Sequence, residues 1–488
     1  MLDLLSYSNL NHSLFIFFAI IIVLFYETIN GFHDTANSVS TLIYTRSISE
    51  NSAVIISGIF NFLGVIFGGL TVAYTIVHLL PNDILLNIYS KNALAMIFSI
   101  LLASIIWNLF TWYFCLPASS SHTLIGAIIG TNLTHSIITH TSLIHVFDLS
   151  KIKNVFLSLV FSPIIGLIIA GIFIILLHVF FKNKFYQIYM TPLENKKINK
   201  QKYPPILIRL ILIISSIGVS YAHGANDGQK GIGLIMLILI GLTPSLFSVN
   251  IHANKNDIIH TRNTIYDLKK FYLKNNTICV KKNHIQNKID TSDVNNHINK
   301  NLQNIKNIQM LLDNIHDYNS LNTIQRLQLR QFLLCVSNEI EYVITMFELD
   351  FKDRMFLNTS KKTILSTIEY APIWIILIIA ASLSIGTMLG WKRIVITIGE
   401  KIGKKSMTYA QAMAAQITAS ISINIASYTG IPVSTTHILS SSLAGSMLVD
   451  GNGIQIKTIQ NILIAWMLTV PISILLSSIL YWILLLFI

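Results

Sequence analysis

Leu116-Pro117-Ala118-Ser119-Ser120-Ser121-His122 returns later in the chain as Ile431-Pro432-Val433-Ser434-Thr435-Thr436-His437. Each copy lies between apolar runs and leads into a stretch rich in small residues. A second pair interleaves with the first. Gly31-Phe32-His33-Asp34-Thr35-Ala36-Asn37 closes the first apolar run, and Gly224-Ala225-Asn226-Asp227-Gly228-Gln229-Lys230 closes a later one. Both members of this pair set a Gly, a polar residue and an Asp in the same order. The sequence motif one, motif two, motif one, motif two marks an internal duplication.

Around these motifs the chain is mostly apolar: 53% of its 488 residues are hydrophobic and 11% are charged. A soluble protein of this length could not hide that much apolar surface in a core, so the bilayer is the relevant solvent. Apolar runs at 14–29, 53–80, 93–116, 155–181, 205–221, 232–249, 371–389, 410–429, 433–449 and 461–488 predict about ten membrane segments. The first run lacks a basic leader and a small-residue cleavage site, and reads as a retained helix. Cys115, Cys279 and Cys335 are odd in number and scattered, which points away from a disulfide framework or a metal cluster.

One large polar segment, 250–363, rich in Asn, Lys and His, separates a first membrane block (1–249, holding the first repeat and the start of the second) from a second block (364–488) that completes it. Ile324, Leu327, Phe332, Val336, Ile340 and Val343 predict an amphipathic helix within it. The net charge of +12 belongs to loops between apolar runs, so positive-inside loops explain it and nucleic acid is not implied. The basic stretches at 182–202, in the insertion and at 392–405 should then all be cytoplasmic. Strict alternation of crossings forbids this, and the topology stays open.

Duplicated membrane units with polar interruptions are the pattern of a secondary transporter, whose breaks meet near the midplane. An Asp at a membrane-helix centre costs about 2.5–3.5 kcal/mol on insertion scales. The matched Asp34 and Asp227 are therefore expected to handle an ion or proton, although Asp227 could also pair with Lys230 on the same helical face. Asn37 shares a face with Asp34 and suits a cation or a phosphate hydroxyl. Pro117 and Pro432 suit a first helical turn, so the following N–H groups and the hydroxyls of Ser119, Ser120, Ser121, Ser434, Thr435 and Thr436 form two candidate anion sites. His33, His122, His223 and His437 are candidate proton carriers, and Glu27, one turn before Gly31, is placed in the same cavity.

The duplicated Gly-x-x-Asp motif with its nearby Asn, and the duplicated Pro-x-Ser-[Ser/Thr]-[Ser/Thr]-His motif, resemble the signature of the inorganic phosphate transporter (PiT) family, most nearly its bacterial low-affinity branch. The resemblance extends to Gly228-Gln229-Lys230-Gly231 and to 440–445. It implies an all-α polytopic membrane protein of two inverted-topology repeats with broken or re-entrant helices, about 10–12 membrane segments in all. It also implies proton symport of inorganic phosphate across the bacterial inner membrane, partly as a neutral divalent-metal complex. No resident cofactor or metal site is implied, and a homo-oligomer is compatible with it. Asn226, Gln229 and Lys230 join the hydroxyls on the substrate side. Two departures stand out: His33 replaces the family's Asn in the first copy, which favours protons over sodium, and Lys230 stands where the first copy has Asn37.

Rival readings are a sodium-coupled or sulfate carrier on the same scaffold, an anion channel, and an intramembrane hydrolase using the Ser119–Ser121 cluster with His122. No G-x-S-x-G elbow, H-E-x-x-H helix or P-loop order supports an enzyme.

Overall fold

The computed structural model describes residues 10–80, 91–140, 149–181, 186–286, 291–313, 315–346, 349–392, 394–395, 402–451 and 453–487. The regular structure among the described residues is helical, apart from an isolated antiparallel bridge between Gly403 and Ile454. They fall into two compact units, 1–238 with 371–488, and 239–370.

The first unit contains α1 (Leu10–Tyr44), α2 (Glu50–Phe67), α3 (Thr71–Val77), α4 (Lys91–Tyr113), α5 (Ser120–Thr139), α6 (Leu149–Phe181) and most of α7 (Ile206–Leu242). The second unit holds α8 (Lys255–Gln286), α9 (Thr291–Leu312), α10 (Thr323–Met346) and α11 (Phe351–Ser366). The chain then returns to the first unit with α12 (Ile373–Met388), α13 (Tyr409–Thr429), α14 (Thr435–Val449) and α15 (Ile456–Phe487). Among the described residues, six helices are long and apolar enough to cross a membrane: α1, α2, α4, α6, α7 and α15. α5, α12, α13 and α14, which are shorter or less apolar, complete the bundle.

Two expectations are corrected. The runs at 205–221 and 232–249 are not separate segments, because Gly224–Lys230 stays helical and joins them into α7. Conversely α5, too rich in Thr, Asn, Ser and His to register as an apolar run, is a full helix. One merger and one addition cancel, which leaves the number of segments near that read from the sequence. The first motif is likewise no break: α1 and α7 run straight through it. Only the second motif interrupts the chain. Because α7 is one helix, the basic segment at 182–202 and the polar insertion flank it at its two ends along the chain. The stretch after α12 returns to the first of these, where the Tyr409 N–H donates to the Met190 carbonyl at 3.3 Å.

The duplication is written into the packing. α1 packs on α12, and α5 on α15; α14 packs on α6. Matching glycines mark the counterpart crossings. A Cβ on Gly31 would lie 2.4 Å from the Leu383 carbonyl oxygen and one on Gly386 2.1 Å from that of Thr28; in the other half, a Cβ on Gly64 would lie 2.2 Å from the Tyr221 carbonyl oxygen and one on Gly224 2.1 Å from that of Asn61. Small residues thus let backbones touch where lipid offers no hydrophobic drive. The entries to both broken helices also match. α4 and α13 end in left-handed residues, Cys115 (φ 56°) and Gly430 (φ 75°). The next N–H turns back five residues in each, Leu116 to Thr111 and Ile431 to Ala426, both at 2.9 Å. Glycine accepts this backbone without strain; Cys115 adopts it with a Cβ.

In the second unit, the amphipathic helix expected near 324–343 is α10. Val336, Ile340 and Val343 are buried as read, but Ile324 is exposed and Leu329 and Leu333 take the upstream core positions. Arg330 is buried there and donates to the carbonyls of Ser248 (3.2 Å) and Ile368 (2.9 Å). Burial pushes the Cys335 thiol up, in keeping with an inert thiol; the Cys279 side chain lies outside the described residues.

Candidate functional site

Ser119 and Ser434 are the N-caps of α5 and α14, each extended and each accepting from the N–H of the histidine three residues on, His122 and His437, at 3.2 Å. A helix's first four N–H groups have no intrahelical partner, and one serine oxygen answers only one of them. The rest of each first turn presents donors and the positive end of a dipole beside Ser120, Ser121, Thr435 and Thr436.

These two half-helix starts face the two continuous helices. The Asp34 carboxylate of α1 accepts from the Thr436 hydroxyl, from Asn37 Nδ2 (3.2 Å) and from Ser120 Oγ (3.4 Å). The Asp227 carboxylate of α7 accepts from the Lys230 ammonium and from Thr435 Oγ1 (3.3 Å). His223 Nε2 lies between them, 3.7 Å from Asp34 and 3.2 Å from Asp227. Asp34, Asp227, Lys230 and His223 are all buried. Lys230 also donates to Ser121 Oγ at 2.5 Å, while Asn37 donates to Thr436 Oγ1 at 3.0 Å. Each half therefore lends a hydroxyl to the other half's first motif.

The remaining candidates take distinct places. His33 Nδ1 is 3.5 Å from Asp34, and its Nε2 is 3.2 Å from Thr111 Oγ1. His122 Nδ1 meets Ser119 Oγ at 2.8 Å. The His122 and His437 rings lie 4.4 Å apart, and His437 stacks on Trp466 at 3.8 Å. The Trp466 indole in turn donates to the Pro117 carbonyl at 3.0 Å. Glu27 accepts from Asn30 Nδ2 at 3.3 Å and lies against Gly231 of α7, where a Cβ would come within 2.6 Å of its carboxylate. Asn226 is buried, with no hydrogen-bond partner for either amide atom among the described residues.

Gln229 is not brought to the carboxylates. Its oxygen accepts from the N–H groups of Val72 (2.8 Å) and Ala73 (3.4 Å), and its amide donates to the carbonyls of Gly68 (2.8 Å) and Ala225 (2.6 Å). It caps α3, a short helix whose start lacks a side-chain cap of its own.

Sequence reasoning passed over several supports. Asn61 Oδ1 meets His223 Nδ1 at 3.0 Å, and its Nδ2 donates to Thr387 Oγ1 at 2.7 Å. The signal was present: an Asn inside an apolar run is costly unless it has partners. Thr111 and Trp466 carried no such mark.

A model of the phosphate transporter family matches residues 30–477. The chain is 65% identical over 487 residues to a low-affinity inorganic phosphate transporter of Buchnera aphidicola subsp. Acyrthosiphon pisum, covering 99% of each chain. It is 49% identical over 496 residues to the low-affinity inorganic phosphate transporter PitA of Escherichia coli (strain K12), again covering 99% of each. A solved structure titled "The sodium-dependent phosphate transporter" matches with a TM-score of 0.53 and 18% identity, covering 97% of this chain and 100% of that one, a likeness of fold. These relatives are transporters and not enzymes. With its duplicated motifs brought face to face in one buried site, the chain belongs to the phosphate transporter family.

Proposed function

We propose that the chain is a secondary active carrier that imports inorganic phosphate by proton symport across a bacterial inner membrane. The observation that carries this reading is the convergence of two buried carboxylates, Asp34 and Asp227, on one imidazole, His223, opposite two helix N-termini rich in hydroxyls. Hydroxyls and spare N–H groups suit an anion. The carboxylates suit the accompanying cation and also accept from a protonated phosphate, which sulfate cannot reproduce. The identity of the curated relatives supports phosphate as the substrate.

Proton coupling over sodium draws on His33 and His223, which bring imidazoles to Asp34 where a sodium ion would want oxygen. Asp34, His223 and Asp227 also offer ligand atoms within 4.8 Å of one another. A divalent cation travelling with phosphate as cargo would find mixed oxygen and nitrogen ligands there. Alternating access would come from rocking one repeat against the other.

The test is phosphate uptake into proteoliposomes under an inward proton gradient or an inward sodium gradient imposed separately, with sulfate as competitor. Proton-driven accumulation that sulfate leaves unaffected is expected. Accumulation driven by sodium alone would move the coupling to sodium, and uptake that merely equilibrates would make the protein a channel.

A further inference from the structure

We propose that Lys230 is a built-in counter-ion: its ammonium fills, in the second half, the seat that the first half leaves for a transported cation. The carrier then takes one monovalent coupling cation, at Asp34, and not one at each aspartate. The inference rests on the reading of the chain as a cation-coupled carrier.

The two halves make closely corresponding contacts around this seat. Asn37 follows Asp34 by three residues and Lys230 follows Asp227 by three, so each lies on its aspartate's helical face. Asn37 Nδ2 bridges Asp34 (3.2 Å) and Thr436 (3.0 Å), from the other half. Lys230 Nζ bridges Asp227 and Ser121 (2.5 Å), again from the other half. Thr436 and Ser121 are corresponding residues of the second motif. The flanking hydroxyls correspond as well, Ser120 to Asp34 at 3.4 Å and Thr435 to Asp227 at 3.3 Å. Two things differ: the bridging group is an amide in one half and an ammonium in the other, and Thr436 donates to Asp34 whereas Ser121 donates to the Val433 carbonyl at 2.7 Å.

The bridging group sets the local charge. A carboxylate and a hydroxyl are oxygen ligands for a small cation, and an ammonium with three donors satisfies both without one. An amide supplies no charge. It offers an oxygen instead, and Asn37 Oδ1 is buried with no hydrogen-bond partner among the described residues. Buried charges need compensation. Asp227 has Lys230, whose charge also reaches Glu27; the titratable groups facing Asp34 are His33 on its own helix, His437, and His223, which it shares with Asp227. The first half has the oxygen ligands and only imidazoles opposite its carboxylate, and the second half has its cation covalently attached.

The test uses the purified full-length chain and its Lys230→Asn and Asn37→Lys variants. Without phosphate, thermal unfolding is followed against sodium, lithium and proton concentration, with choline as the inert salt. Lys230→Asn should gain one saturable cation-dependent stabilisation beyond the wild type. In proteoliposomes it should move about one more positive charge per phosphate, one carried cation replacing the tethered one. Asn37→Lys should lose the wild type's cation response. A folded, monodisperse Lys230→Asn with an unchanged cation response and unchanged charge per phosphate overturns the proposal. Should that variant fail to fold, Asn37→Lys decides: a lost response supports the seat and a retained one overturns it. Failure of wild-type phosphate uptake would remove the phosphate reading, while the phosphate-free titration still judges Lys230.

Discussion

Thr436, from the second half of the chain, donates its hydroxyl to the Asp34 carboxylate of the first half while accepting from the Asn37 amide at 3.0 Å. One hydroxyl thus ties a broken helix to a continuous one. A hydrogen bond to a charged group is worth about 1.5–3 kcal/mol. Thr436→Val keeps the shape and removes both bonds, so initial uptake should fall roughly ten- to a hundredfold. Thr436→Ser should keep most of the rate. Equal rates for Val and Thr would take this hydroxyl out of the site.

The aspartates should differ in what their loss does to stability. Asp227→Asn strands the buried Lys230 ammonium, and breaking a buried ion pair from one side costs about 3–5 kcal/mol. Asp34→Asn removes a carboxylate with no lysine beside it and should melt closer to the wild type. Both variants should lose gradient-driven accumulation. Thermal unfolding in detergent checks the difference, and Asp227→Asn combined with Lys230→Met should recover part of the loss. Identical melting of the two single variants would mean that the Lys230–Asp227 contact carries no weight.

The glycine crossings admit no side chain. A Cβ on Gly386 or Gly224 would lie 2.1 Å from a facing carbonyl oxygen, and overpacking typically costs about 1–3 kcal/mol. Gly386→Ala and Gly224→Ala should each lower folded yield. Gly171→Ala, where the nearest atom is a valine methyl at 3.1 Å, should be better tolerated. Size-exclusion profiles of the three variants make the comparison.

The polar insertion stands on its own core, with Arg330 tying Ser248 to Ile368. Arg330→Leu removes both bonds at about 1–3 kcal/mol for each buried carbonyl left unpaired. Limited proteolysis of the intact variant should show faster cleavage within 239–370. Unchanged cleavage there would mean that Arg330 does not hold the unit.

The sequence disclosed the duplication, the aspartates and the hydroxyl clusters because polar residues repeated in an apolar chain stand out against a uniform background. It misled where polarity was taken for a break. Gly224–Lys230 is as polar as Pro117–Ser121, yet it stays helical, since Lys230 is matched by Asp227 and Gln229 by the start of α3. Pro117 and Pro432, which lack an N–H, open the chain where Gly224 does not. α5 escaped notice for the converse reason: its Thr131, Thr134 and Thr139 hydroxyls bond back to carbonyls of their own helix, so a hydropathy reading counts as polar what the helix has already satisfied. The exchange of partners between halves was out of reach, because a repeat in sequence does not say which copy packs on which.

That exchange bears on how the protein is made. Asp34 leaves the ribosome 402 residues ahead of Thr436. Until then the carboxylate sits among helices whose final neighbours do not yet exist. The first half on its own holds its aspartate and its serines, but lacks the residues that close around them. Synthesis that stops short of Thr436 yields an inserted protein without a finished site, so the cell gets a working carrier only from a chain translated past that threonine.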